Sequence, residues 1–161
     1  MVGAHGPVFP SRPARAEGGH VSEPSGTPWP SRVAPDSVGG WHWDLDELGD
    51  LPQARSELRA RIQGRDAVEV SEQVVLSFDE MASNALRHGR APVKACVREA
   101  PGHWLVEVQD HAATRAPAPA VGRDPALGGL GLYIIADMAT EHGWWPDGET
   151  KSVWATIPRR R

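Results

Sequence analysis

Apolar and polar positions segregate most sharply between residues 66 and 89. At helical spacing Val75, Phe78, Ala82, Ala85 and Leu86 gather on one side, and Gln73, Ser77, Glu80, Asn84 and Arg87 or His88 on another. Asp66-Ala67-Val68-Glu69 has the spacing of a capping box, so the helix is expected to start there and run to His88, with Gly89 as its stop. Upstream, Trp41-His42-Trp43-Asp44-Leu45 alternates bulky and polar residues like a short strand, and Leu51 to Ile62 fits a helix with Pro52 in its first turn and Gly64 near its end. Downstream, Val93 to Glu99 and Trp104 to Gln109 read as strands. Ala100-Pro101-Gly102-His103 between them is a turn signal, so the two should form an antiparallel hairpin that ends at Asp110.

From His111 to Leu127 the chain has no period and is rich in Ala and Pro, a connection long enough to be a functional lid or disordered. Gly128-Gly129-Leu130-Gly131-Leu132 then opens a helix from Tyr133 to Thr140. Trp144-Trp145, a turn at Pro146-Asp147-Gly148 and a last strand from Ser152 to Ile157 follow. Strands and helices do not alternate, which disfavours a doubly wound parallel sheet. The order predicts an α+β two-layer sandwich, a mostly antiparallel sheet covered by helices on one face, with the Glu80 and Asn84 side of the long helix toward the loop after Asp110.

A chain of 161 residues suits one domain plus a tail. Residues 1 to 40 are dense in Pro, Gly, Ser and Ala and nearly lack aliphatic periodicity, so they cannot bury enough apolar surface to offset their ordering entropy. They are expected to be a disordered extension, with the domain spanning 41 to 161.

Composition narrows the function classes. A net charge of -4 and a pI near 6.0 carry no nucleic-acid footprint. No apolar run approaches the ~18 residues that cross a bilayer, and the N-terminus lacks a signal-peptide core, so the expected location is the cytoplasm, away from membranes. Cys96, the single cysteine, excludes an internal disulfide and reads as a buried small hydrophobe. Of the seven tryptophans, Trp41, Trp43, Trp104 and Trp154 are expected in the core or at its rim. Trp144-Trp145 is either more of the same or a partner surface.

Four features bear on chemistry. Glycines directly before a helix present backbone N–H groups and a helix N-terminus to phosphate, or else form a hinge; the spacing matches neither a P-loop nor a dinucleotide fingerprint. An Asn carboxamide oxygen suits Mg²⁺ when substrate phosphates supply the remaining charge, and Asn84 fits that role. Glu80, one turn earlier, can accept a proton from an attacking hydroxyl or water. Asp110 is either a turn-initiating residue or the acceptor of a hydrogen bond from a base amino group. The histidines show no paired spacing for zinc, and His88 reads as a helix-end residue or a wall of the pocket.

Taken in order, Glu-x-x-x-Asn-Ala-x-x-His-Gly, a hairpin ending in Asp110, a loop, and Gly-Gly-Leu-Gly-Leu opening a helix resemble the GHKL (Bergerat-fold) ATPase superfamily and, within it, the bacterial anti-sigma-factor serine kinases. The resemblance covers residues 41 to 158. It implies an ATP-dependent protein serine/threonine kinase whose cofactors are ATP and Mg²⁺. Glu80 would be its general base and Asn84 its metal ligand; His88 and Leu132 would belong to the cofactor site. Asp110 would bind the adenine amino group, Gly129 and Gly131 the phosphates, and Ser152 would stand where the family often has a Thr near the adenine. Implied partners are a sigma factor or an antagonist protein, and a homodimer. Two departures stand out: the family's Asp-x-Gly reads Asp110-His111-Ala112, and Arg115 and Arg123 are the only basic residues of the lid. The first motivates an alternative reading, a nucleotide-binding regulatory module with little or no kinase activity.

Overall fold

The computed structural model describes residues 28–117 and 130–160. Strand β1 (Trp41–Leu45) leads through a 3-10 turn into helix α1 (Leu51–Ile62) and the long helix α2 (Val68–His88). The hairpin β2 (Val93–Ala100) and β3 (His103–Asp110) follows, then α3 (Leu130–Met138), β4 (Glu141–Asp147) and β5 (Thr150–Pro158). Among the described residues the strands form a five-stranded sheet in the order β1-β2-β3-β5-β4, with every neighbouring pair antiparallel. Helices lie on one face of it, as the order of elements implied, giving an α+β two-layer sandwich. No helix among the described residues is long and apolar enough to cross a membrane.

Alternation along the strands sorts the two faces. Trp43, Val93, Ala95, Val97, Trp104, Val106, Val108, Val153, Ala155 and Ile157 point toward the helices and join one core with Leu58 and Ile62 of α1, Val74, Phe78, Met81 and Ala82 of α2, and Leu132 and Ile135 of α3. Pro101-Gly102 makes the tight hairpin, Gly102 taking φ of 80°, which glycine allows without a Cβ penalty. Pro146, expected in a turn, is instead in β4; that strand is an edge, where a missing N–H costs no ladder bond. The turn shifts to Gly148 and Glu149.

Three local expectations need correction. The capping box does not form: α2 starts at Val68 with Ala67 as its cap. Asp66 is used elsewhere, accepting from Trp104 Nε1 at 3.1 Å and Arg159 Nε at 3.0 Å and so tying the chain end to the α1–α2 turn. Ser77, expected on the polar side of α2, is fully buried, its hydroxyl donating to the Gln73 carbonyl at 2.8 Å. Gly131 belongs to α3 rather than to a loop before it.

The expectation of disorder through residue 40 fails for residues 28–40. Trp29 is 2% exposed and meets the His142 ring edge-on at 4.9 Å. The chain then pairs alongside β4, with Trp144 N donating to the Pro30 carbonyl and Arg32 N to the Trp144 carbonyl. It crosses to the face that carries no helices, where Ala34 packs with Leu105 and Trp154 and the Trp154 indole donates to the Arg32 carbonyl at 2.8 Å. At the far side Arg98 Nε donates to the Gly39 carbonyl. A few well-spaced anchors, Trp29 and Ala34 above all, hold a segment that has no periodicity of its own. Residues 1–27 lie outside the described residues. Cys96 is buried on this second face, its thiol pushed up to about 12 by burial.

Candidate functional site

The C-terminal half of α2 organises the site. Glu80 and Asn84 stand one turn apart and half-buried, while Phe78, Met81, Ala82 and Ala85 hold the helix on the sheet. Burial, reinforced by the neighbouring Asp79, pushes the Glu80 carboxyl above the usual carboxylate range, and Arg87 partly offsets this. A carboxyl poised in that direction suits proton acceptance near neutral pH better than an ordinary glutamate does.

Two other elements converge on it. The second residue of α3, Gly131, lies so close that a Cβ there would come within 3.0 Å of the Glu80 carboxylate. A Cβ on Gly89 would likewise strike the Asp110 carboxylate and the Ala85 carbonyl. Gly89 has extended backbone rather than a left-handed cap, so it ends α2 as glycine because of this close approach and not because of its φ. The folded chain therefore gathers Glu80, Asn84, Gly89, Asp110 and Gly131, which the sequence spreads over fifty residues, around one end of α2.

Asp110 is 2% exposed at the end of β3. Its Oδ1 accepts the backbone N–H of Ala112 at 2.7 Å, a tight turn that Ala112 makes without positive φ. Its Oδ2 faces Lys151 Nζ at 3.6 Å. Burial lowers the Lys151 pKa, and Asp110 opposes that shift. Lys151 also donates to the Arg115 carbonyl, and Arg115 Nη1 donates to the His88 carbonyl at 3.2 Å.

The remaining expected site residues are placed less favourably. His88 is an exposed helix end whose carbonyl holds Arg115. Leu132 is 1% exposed and belongs to the core. Ser152 is not brought to Asp110: it pairs with Gln109 and shares the face of Trp154, opposite to the helices. Lys151, one residue earlier, is the direct cross-strand partner of Asp110. Parity could have revealed it, since Val153, Ala155 and Ile157 share its side of β5, but the equally apolar Trp154 blurred the alternation. Gly129 and Arg123 lie outside the described residues. Among the described residues no three His, Cys, Asp or Glu side chains form a metal cluster.

This fold is the GHKL-type α+β architecture. The chain matches the family described as Histidine kinase-like ATPase domain over residues 46–157, more than half of its length, and belongs to it. Among solved structures it is similar to the RsbU and RsbW domains of Rv1364c from Mycobacterium tuberculosis, with TM-score 0.57 and 18% identity over 77% of this chain. It spans only 33% of that chain. A second similarity is to the Acinetobacter baumannii histidine kinase AdeS, with TM-score 0.40 and 13% identity over 77% of this chain and 70% of that one. No curated protein sequence matches.

Proposed function

We propose that the chain is a cytoplasmic ATP-binding regulatory protein that phosphorylates a serine or threonine of a partner protein, in the manner of the anti-sigma-factor kinases it resembles. The observation that carries this reading is the convergence of Glu80, Asn84, Asp110 and the start of α3 on one end of α2. The residues fit the substrate and metal: Asn84 offers a half-buried carboxamide oxygen, and Gly131 leaves bare backbone beside Glu80. Mg²⁺, when bound, would offset phosphate charge and align the leaving group.

Glu80 takes the proton of the attacking hydroxyl as its oxygen bonds to the γ-phosphorus and the bond to the β,γ-bridging oxygen breaks, leaving ADP. Asp110 orients the base from the rear. The protein partner is a sigma factor or its antagonist, with a second copy of the chain completing a homodimer. Incubation with labelled ATP, Mg²⁺ and candidate antagonist proteins tests this: label on serine or threonine supports it, and no label with every candidate overturns it.

One observation favours a second reading. Gly131 is packed on the Glu80 carboxylate, so the base is engaged by α3. A protein in which that contact persists with nucleotide bound would use ATP as a conformational ligand. It would show a Mg²⁺-dependent rise in melting temperature without transfer.

A further inference from the structure

We propose that Lys151 reads the nucleotide base together with Asp110, the carboxylate accepting from the adenine amino group and the ammonium donating to ring nitrogen N1. This rests on the nucleotide site proposed above and assigns a determinant of base choice within it.

The placement is built by the sheet. Asp110 and Lys151 are opposite one another in the β3–β5 ladder and face the helix layer, where Val108 and Val153 occupy the next pair on that side. Their separation of 3.6 Å is an ion pair but too long for a full hydrogen bond, so neither group is saturated by the other. Asp110 has given one oxygen to the Ala112 N–H, and Lys151 has given one N–H to the Arg115 carbonyl. An ammonium has three N–H groups and a carboxylate about four lone-pair sites. Each side chain thus retains capacity, and the two lie side by side with opposite hydrogen-bonding sense.

A base edge that matches them carries a donor next to an acceptor. Adenine presents its 6-amino group beside N1. In the same pose guanine would present O6 to the carboxylate and N1–H to the ammonium, reversing both matches. A buried ion pair adds little stability over apolar residues of the same volume. Lys151, only 5% exposed beside Asp110 at 2%, is therefore better explained by recognition than by packing. Arg115 fastens the stretch after β3 to Lys151 and to the end of α2.

The test compares ATP with 1-deaza-ATP, which keeps the amino group but replaces N1 by C–H, in titrations of the unaltered protein and of Lys151→Met. The unaltered protein should bind 1-deaza-ATP about tenfold to a hundredfold more weakly than ATP, the usual worth of one specific base contact. Lys151→Met should bind the two alike, and ATP correspondingly more weakly than the unaltered protein does. Equal binding of both nucleotides by the unaltered protein overturns the proposal, and this arm stands even if the variant does not fold. Undiminished discrimination by Lys151→Met, or tighter ATP binding by it, also overturns the proposal while leaving the nucleotide site intact. Absence of ATP binding by the unaltered protein removes the nucleotide site as well.

Discussion

Glu80 and Gly131 are in contact across the α2–α3 interface, the carboxylate lying where a Cβ on Gly131 would stand. Gly89 and Asp110 are related in the same way at the other end of the site. The two contacts differ in what can yield. At Gly131 the obstacle is the far end of a long side chain, whereas at Gly89 it includes the Ala85 carbonyl and a carboxylate pinned by Ala112 and Lys151.

Opposite outcomes are expected from the two alanine substitutions. Gly131→Ala gains at most about 1 kcal/mol of helix propensity and can displace Glu80, so its unfolding free energy in urea should stay within about 1 kcal/mol of the parent's. The phosphoryl transfer proposed above should fall because Glu80 has moved. Gly89→Ala should lose about 1–3 kcal/mol through overpacking against fixed atoms, with Asp110 displaced and nucleotide affinity reduced. Denaturant melts and nucleotide titrations on both variants check the contrast.

Glu80→Gln keeps size and polarity but cannot accept the proton, so transfer should fall about 10² to 10⁴-fold with nucleotide binding retained. Asn84→Ala should weaken Mg²⁺-dependent nucleotide binding itself. Single-turnover transfer and titrations with and without Mg²⁺ separate the two roles.

The raised Glu80 pKa has two consequences for pH. The mechanism proposed above needs the carboxylate, so the rate of transfer should decline on acidification at a higher pH than an ordinary glutamate would give. For stability the sign is the reverse. The folded state holds this proton more tightly than the unfolded chain, so the contribution is favourable at low pH and is lost as pH rises through the ordinary glutamate range to the raised value. Glu80→Gln should therefore be at least as stable as the parent at neutral pH, and thermal melts from pH 4 to 8 should show the parent's deficit growing across that window.

On the second face of the sheet, Arg98 Nη1 donates to Glu107 Oε2 at 2.6 Å, both side chains nearly buried. Glu107→Ala should cost about 3–5 kcal/mol by leaving the guanidinium without this counter-charge in a dry site. Replacing both, Arg98→Met with Glu107→Leu, should recover most of the loss. Chemical denaturation of the parent, Glu107→Ala and the double replacement checks both expectations.

Residues 28–40 close that face, so a chain beginning at Trp41 should unfold at lower denaturant than one beginning at Pro28, with Leu105 and Trp154 uncovered. Trp29→Ala in the full chain should lose about 3–5 kcal/mol, the usual cost of emptying a buried indole site. Equal midpoints for the two shortened chains would show that the segment contributes nothing.

What could be read in the sequence is what repeats locally. The 3.6-residue period of Val75, Phe78, Ala82 and Ala85 marked α2 and thereby set Glu80 and Asn84 one turn apart, because helix geometry is fixed by short-range hydrogen bonds. Pro101-Gly102 marked the hairpin that delivers Asp110 for the same reason: turn chemistry lies in adjacent residues. Tertiary structure alone decided the relations that depend on distant partners. Asp66 was a plausible cap until Trp104 and Arg159 claimed its oxygens, and Trp29 and Ala34 became anchors only once Trp154 and the β4 edge were in place. Lys151 became the neighbour of Asp110 through a β3–β5 register that no local pattern encodes, since shifting that ladder by one residue would have presented Ser152 instead.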